Sequence, residues 1–214
     1  MGAVARLGVL GGTFDPIHIG HLLMAQAAYE TLNLSLVLFV PAGVPPHKRK
    51  GEREDSQVRL AMVKAAIEGD CRFAVSTVDM ARPAPHYTAD MLAILAGEYS
   101  VGCDSLYFIL GSDSLMQLHT WHRPELVVCE SLLAVVHRPG YPVELEVVYS
   151  RVPQARGRVR IVEMPEIGIS STLLRAMVRE GRSIRYWVPP AVEAIIQSQQ
   201  LYSRMAVLPT SEPT

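Results

Sequence analysis

The segment from Gly11 to Leu22 reads GGTFDPIHIGHL and places two imidazoles, His18 and His21, three residues apart behind a glycine pair and a proline turn. If a helix begins near His18, both rings lie on one face at its start. Amides at a helix start point outward and favour an anion. Gly11 and Gly12 lack a Cβ, so a ligand can approach the main chain there. The arrangement suits a polyphosphate. No Gly-Lys-Ser/Thr follows and no G-x-G-x-x-G occurs, which speaks against a Walker A loop and a dehydrogenase-type dinucleotide site. Two histidines at this spacing also begin some zinc sites, and His119 with His122 repeat it. Neither pair has the neighbouring glutamate or cysteine that would complete a ligand set, so no protein-held metal is expected.

A second group lies far along the chain, in IGISSTLLR from Ile167 to Arg175. Ser170 suits a helix cap, Ser171 and Thr172 offer hydroxyls and amides in the first turn, and Arg175 follows one turn later. Its guanidinium fork fits phosphate oxygens. Taken alone, this is better read as an ordinary capped helix with a surface arginine.

Short apolar runs alternate with helical patterns to position these groups. Strands are expected at Val4–Leu10, Leu36–Val40, Phe73–Val78, Leu106–Leu110, Leu132–His137 and Val159–Val162. Helices are expected at His18–Leu32, Gln57–Glu68, Ala89–Ala96, Ser171–Glu180 and Ala191–Gln199. Ser56 and Thr88 suit helix starts, and Gly69, Gly97 and Gly181 suit helix ends. The alternation predicts an α/β fold: a Rossmann-like, doubly wound, mostly parallel sheet flanked by helices. Ligands bind such sheets beyond the carboxyl ends of the strands, where strand order reverses. If the first and fourth strands are neighbours, GGTFDP, VPAGVPPHK and GSDS meet over one crevice.

The chain has 214 residues, enough for one sizeable domain, read as 1–205 with a polar, proline-containing tail at 206–214. A net charge of −1 disfavours a nucleic-acid-coating surface. No apolar run has the length to span a bilayer, and the amino terminus lacks the layout of a signal peptide. Three cysteines (Cys71, Cys103 and Cys129) form no CxxC pair and fit buried or free thiols in a reducing, cytoplasmic setting.

With both clusters in view, HxGH near the start and ISSTxxR near the end resemble the nucleotidylyltransferase superfamily. Within it the chain is similar to bacterial nicotinate-nucleotide adenylyltransferases. The similarity runs through GGTFDPIHIGHL, VPPHK, PHYTADML, GSDSL, TWHRPE, HRPGYP, ISSTLLR and VPPAVEAII, in that order. One departure is His86, where many relatives carry a small serine before Tyr87-Thr88.

The resemblance implies attack by the 5′-phosphate of nicotinate mononucleotide on the α-phosphate of ATP, with Mg²⁺ accompanying the triphosphate. His18 and His21 are then the catalytic donors to phosphate oxygens. Gly11, Gly12, Thr13, Phe14, His47, Lys48, Gly111, Asp113, Ser170, Ser171, Thr172 and Arg175 become ATP contacts. Asp113 suits ribose hydroxyls, although capping the next helix is an equal use of it. Trp121, followed by HRPE, suits stacking on a pyridine ring, with partly buried packing as the alternative. The amides of Tyr87 and Thr88 would receive the nicotinate carboxylate, and Arg138 the substrate phosphate. His47 and Lys48 would close over the triphosphate at the head of a charged loop, Lys48–Asp55. Nucleic acid and membrane are not expected partners, and a homo-oligomer is left open. The alternatives are a phosphopantetheine adenylyltransferase-like enzyme and a catalytically silent nucleotide-binding regulator.

Overall fold

A computed structural model describes residues 4–43, 54–137, 143–165 and 167–203. Each apolar run expected to be a strand is one: β1 Leu7–Gly12, β2 Leu36–Pro41, β3 Phe73–Val75, β4 Leu106–Gly111, β5 Leu132–His137 and β6 Val159–Glu163. The helices are α1 Ile19–Thr31, α2 Ser56–Ile67, α3 Val78–Ala81, α4 Thr88–Tyr99, α5 Ser112–Met116, α6 Pro124–Glu130, α7 Leu145–Arg151, α8 Ser171–Arg179 and α9 Pro190–Ser198.

The six strands form one sheet in the order β3-β2-β1-β4-β5-β6, and every pairing is parallel. Strand order reverses between β1 and β4, so the expected neighbours are neighbours. Within each strand alternate side chains face opposite layers. Leu10, Val37, Phe39, Tyr107 and Ile109 pack in one core with α1, α2, α8 and α9. Leu7, Val9, Leu38, Val40, Leu106, Phe108 and Leu110 pack in another with α4 and α6. Two buried faces explain why these strands read as continuous apolar runs.

Several boundaries differ from expectation. β1 begins at Leu7, and β3 stops at Val75 because Val78 opens α3. The cap of α2 is Asp55, whose carboxylate accepts from the Gln57 amide, so Ser56 lies inside the helix. α4 is capped at Tyr87 and closes on Ser100 in the left-handed region, leaving Gly97 inside it. Gly69 and Gly181 do adopt positive φ beyond α2 and α8. The short helices α3, α5, α6 and α7 were not anticipated; seven residues or fewer give too little periodicity to read. His47, Lys48 and Arg138, most of the Lys48–Asp55 loop, and the 206–214 tail lie outside the described residues.

Candidate active site

The GGTFDP turn carries the chain from β1 to α1 under close constraint. Phe14 takes positive φ (51°) and turns its ring into the core, at 1% exposure. A Cβ on Gly12 would stand 2.9 Å from that ring, so this glycine makes room for Phe14. Phe14 in turn meets His21 edge-on, with ring centroids 5.0 Å apart.

His18 is the residue that caps α1, one position before the helix, and His21 lies in its first turn. Their rings stack at 3.7 Å with 24° between planes. The His18 main-chain N–H donates to His21 Nδ1 at 3.2 Å. A neutral His21 accepting there carries its proton on Nε2, which makes that edge the donor. His18 Nδ1 is buried with no hydrogen-bond partner among the described residues. Burial lowers the His18 pKa from 6.5 to about 4. It lowers His21 well below 6.5 too, helped by the charge of His18. The protein by itself therefore holds both rings neutral, against the protonated state that bound phosphate would favour. Gly20, between them, has no room for a Cβ: one would stand 2.8 Å from Ile169 Cγ2 and 3.1 Å from His18 Cε1.

Ile169 leads into the second cluster, and α8 is fastened to the GGTFDP turn. Ser170 caps α8 by accepting from the Leu173 amide, as expected. The Ser171 hydroxyl donates to the Pro16 carbonyl at 2.9 Å, and Arg175 Nη1 donates to the Asp15 carbonyl at 2.7 Å. Arg175 Nη2 also donates to Thr172 Oγ1 at 3.3 Å. The Ser171 hydroxyl proton is thus committed to the turn, leaving its amide for an anion. Part of the Arg175 fork is committed as well.

A cavity of about 540 Å³ lies beyond the carboxyl ends of β4, β5 and β6, beside the start of α1. It is lined by His18, His21, Gly111, Asp113, Ser170 and Ser171, together with Met24, His137, Met164 and Ile169. Asp113 is exposed in the first turn of α5, whose cap is Gly111, so its carboxylate is not used as the cap. A wider cleft of about 880 Å³, between α8 and α9, is remote from the histidines.

The remaining expected contacts form a neighbouring group. Trp121 meets Phe108 edge-on at 6.0 Å, and the same Phe108 ring lies 3.6 Å from where a Cβ of Gly11 would be. The indole is thereby tied to the end of β1. The Tyr87 ring stacks on His122 at 3.8 Å, and Arg123 pairs with Asp90 of α4 at 2.9 Å. Arg82 donates to the Tyr87 carbonyl and pairs with Asp79, both at under 3 Å. These contacts join PHYTADML to TWHRPE around the start of α4. His86 packs against Gly43, whose absent Cβ would stand 2.6 Å from His86 Nε2, and its Nδ1 is buried without a partner among the described residues.

Arg59 was not anticipated from sequence. It is 3% exposed and donates to the carbonyls of Thr13 (2.7 Å), Ala42 (2.8 Å) and Glu54 (3.3 Å), binding the β1 loop to the β2 loop. A signal existed: at helical spacing Arg59 shares a face with Met62 and Val63, an apolar face on which a charge needs a reason.

The cytidylyltransferase-like family matches residues 9–177. A Thermomicrobium roseum protein named probable nicotinate-nucleotide adenylyltransferase is 47% identical over 211 residues, 98% of each chain. A Thermus thermophilus protein of the same name is 43% identical over 92% of this chain and 99% of its own length. The solved Plasmodium falciparum nicotinic acid mononucleotide adenylyltransferase complexed with NaAD superposes with a TM-score of 0.73. It is 20% identical and is covered over 97% of its chain and 92% of this one, so it speaks for the fold. By the family match and by near full-length identity above 40%, the chain belongs to the cytidylyltransferase-like family, among the bacterial nicotinate-nucleotide adenylyltransferases.

Proposed function

We propose that the protein transfers the adenylyl group of ATP to nicotinate mononucleotide, forming nicotinate adenine dinucleotide and pyrophosphate in NAD biosynthesis. The observation that carries this reading is the stacked His18–His21 pair on a cavity shared with Asp113 and the start of α8. The 5′-phosphate of the mononucleotide attacks the α-phosphorus, the bond to the bridging oxygen breaks, and pyrophosphate leaves with the electron pair. Such transfer depends on alignment and charge stabilisation and needs no covalent protein intermediate.

His21 Nε2–H and the His18 ring donate to the phosphate oxygens that gain charge, and an approaching triphosphate opposes the depression of both pKa values. Amides of Thr13 and Phe14, the Ser171 and Thr172 amides, the Thr172 hydroxyl and the free donors of Arg175 receive the β- and γ-phosphates. Gly11 and Gly12 keep the main chain open to them. Asp113, beside Gly111, takes the adenosine ribose hydroxyls. Trp121 stacks on the pyridine ring, and the Tyr87 and Thr88 amides bind its carboxylate. Ser170 acts by capping α8, and His47, Lys48 and Arg138 remain assigned to phosphate.

Mg²⁺ enters with ATP as part of the substrate. Among the described residues no group of three His, Cys, Asp or Glu side chains could hold a metal. Among those residues also, no helix is long and apolar enough to cross a membrane. Three free, exposed cysteines and an ATP substrate support a cytoplasmic place.

The test is pyrophosphate release by the purified protein with MgATP and nicotinate mononucleotide. Release that requires both substrates is expected. No release, or release with phosphopantetheine in place of the mononucleotide, overturns the reading.

A further inference from the structure

Tyr202 lies beyond α9, near the end of the described chain, and is only 9% exposed. Its hydroxyl donates to Asp15 Oδ1 at 2.6 Å, a contact spanning 187 positions. Asp15 is 1% exposed, and its second carboxylate oxygen, Oδ2, is buried without a hydrogen-bond partner among the described residues. Arg175 Nη1 stands 3.9 Å from that oxygen and donates instead to the Asp15 main-chain carbonyl. Glu54 completes the surroundings; burial and then the charge of Asp15 push its carboxyl upward. The Tyr202 phenol is pushed upward by burial and by its bond to Asp15, so it stays a protonated donor.

A buried carboxylate needs donors, and a guanidinium fork within reach is a strong competitor for it. The tyrosine hydroxyl serves Oδ1, while Oδ2, the oxygen nearer Arg175, makes no hydrogen bond among the described residues and stays 3.9 Å from Nη1. We propose that Tyr202 is a positioning residue for adenylyl transfer: by holding the Asp15 carboxylate it keeps that group from closing on Arg175, whose remaining donors stay available to the triphosphate. The carboxyl-terminal end of the chain thereby sets the ATP site through one hydroxyl group. This inference rests on the reading that ATP is the adenylyl donor and Arg175 one of its ligands.

The experiment compares wild type, Tyr202→Phe, Asp15→Asn and the double variant in steady-state kinetics, with thermal unfolding run on each. Tyr202→Phe keeps the ring and removes only the donor. It should raise the KM for ATP on the order of 10-fold, the scale of one lost hydrogen bond to a charged group. The KM for the mononucleotide should stay within about twofold, because only one substrate loses contacts. Asp15→Asn removes the charge that competes for Arg175, so its KM for ATP should lie at or below the wild-type value. The double variant should recover ATP affinity relative to Tyr202→Phe, a rescue that a merely structural bond would not give.

An unchanged ATP KM in Tyr202→Phe, or a double variant no better than Tyr202→Phe, overturns the proposal. Should Tyr202→Phe fail to fold, folded Asp15→Asn with weakened ATP affinity overturns it independently. A wild type that releases no pyrophosphate removes the functional reading and this inference together. An active wild type with an indifferent Tyr202→Phe removes the inference alone.

Discussion

His18 and His21 are placed to donate hydrogen bonds, and their environment decides how. Both are neutral in the protein because burial opposes their charge, and the His18 amide fixes which edge of His21 carries its proton. Replacing either with alanine should lower turnover by roughly 10²-fold or more, the scale of losing one positioned donor at a developing charge. Turnover near wild type in both variants would remove them from the mechanism. Stability should also suffer in His21→Ala, because the ring packs on Phe14 and His18 as well as facing the cavity. The same burial makes stability pH-dependent. With His18 at about 4 in the folded protein and 6.5 as its ordinary value, the unfolded chain binds a proton between those limits that the folded chain does not. Stability is therefore lost as pH falls through that window, by up to about 3 kcal/mol for this group. Urea unfolding at pH 7 and pH 4.5 should show a larger loss in wild type than in His18→Asn; equal losses would contradict the assignment.

At the scale of elements, the site exists because α8 and α2 are fastened to the turn between β1 and α1. Ser171 and Arg175 bond the carbonyls of Pro16 and Asp15, and Arg59 bonds that of Thr13. Gly20 lets α1 approach Ile169 closely enough for His18 to sit where it does. Gly20→Ala should keep the fold, since the clash is with side chains, while displacing His18 and lowering turnover about 10-fold or more, as misplacement of a catalytic group does. Circular dichroism with turnover measurement checks this, and full activity in the folded variant would sink it. The strands, the long helices and the meeting of the β1 and β4 loops were legible because continuous apolar runs and helix-length periods are strong signals. The links to Arg59 and Tyr202 were not. A buried arginine serving main-chain carbonyls, or a tyrosine bonded across 187 positions, leaves no local pattern in the chain. Nor did sequence tell that Phe14 would turn inward or that Ser171 would spend its hydroxyl on the turn, since the first depends on a positive φ and packing against Gly12 and the second on a carbonyl, that of Pro16, 155 positions away.

For the whole molecule, a doubly wound parallel sheet brings its loops together near the β1–β4 reversal, and they form two groups. One, around the histidines and α8, suits a triphosphate and its nucleoside. The other, at the start of α4 beside Trp121, suits a ring bearing a carboxylate. On the proposed reading, stacking on Trp121 does not distinguish nicotinate from nicotinamide, and the amides of Tyr87 and Thr88 do so, through charge-assisted bonds that a carboxamide cannot replace and an NH₂ donor would oppose. The most direct test is kcat/KM for dinucleotide formation from MgATP with nicotinate mononucleotide and with nicotinamide mononucleotide. The account predicts a preference for nicotinate of roughly 10²-fold or greater, the effect of one or two lost bonds in a dry site. Equal efficiency with the two mononucleotides would contradict it.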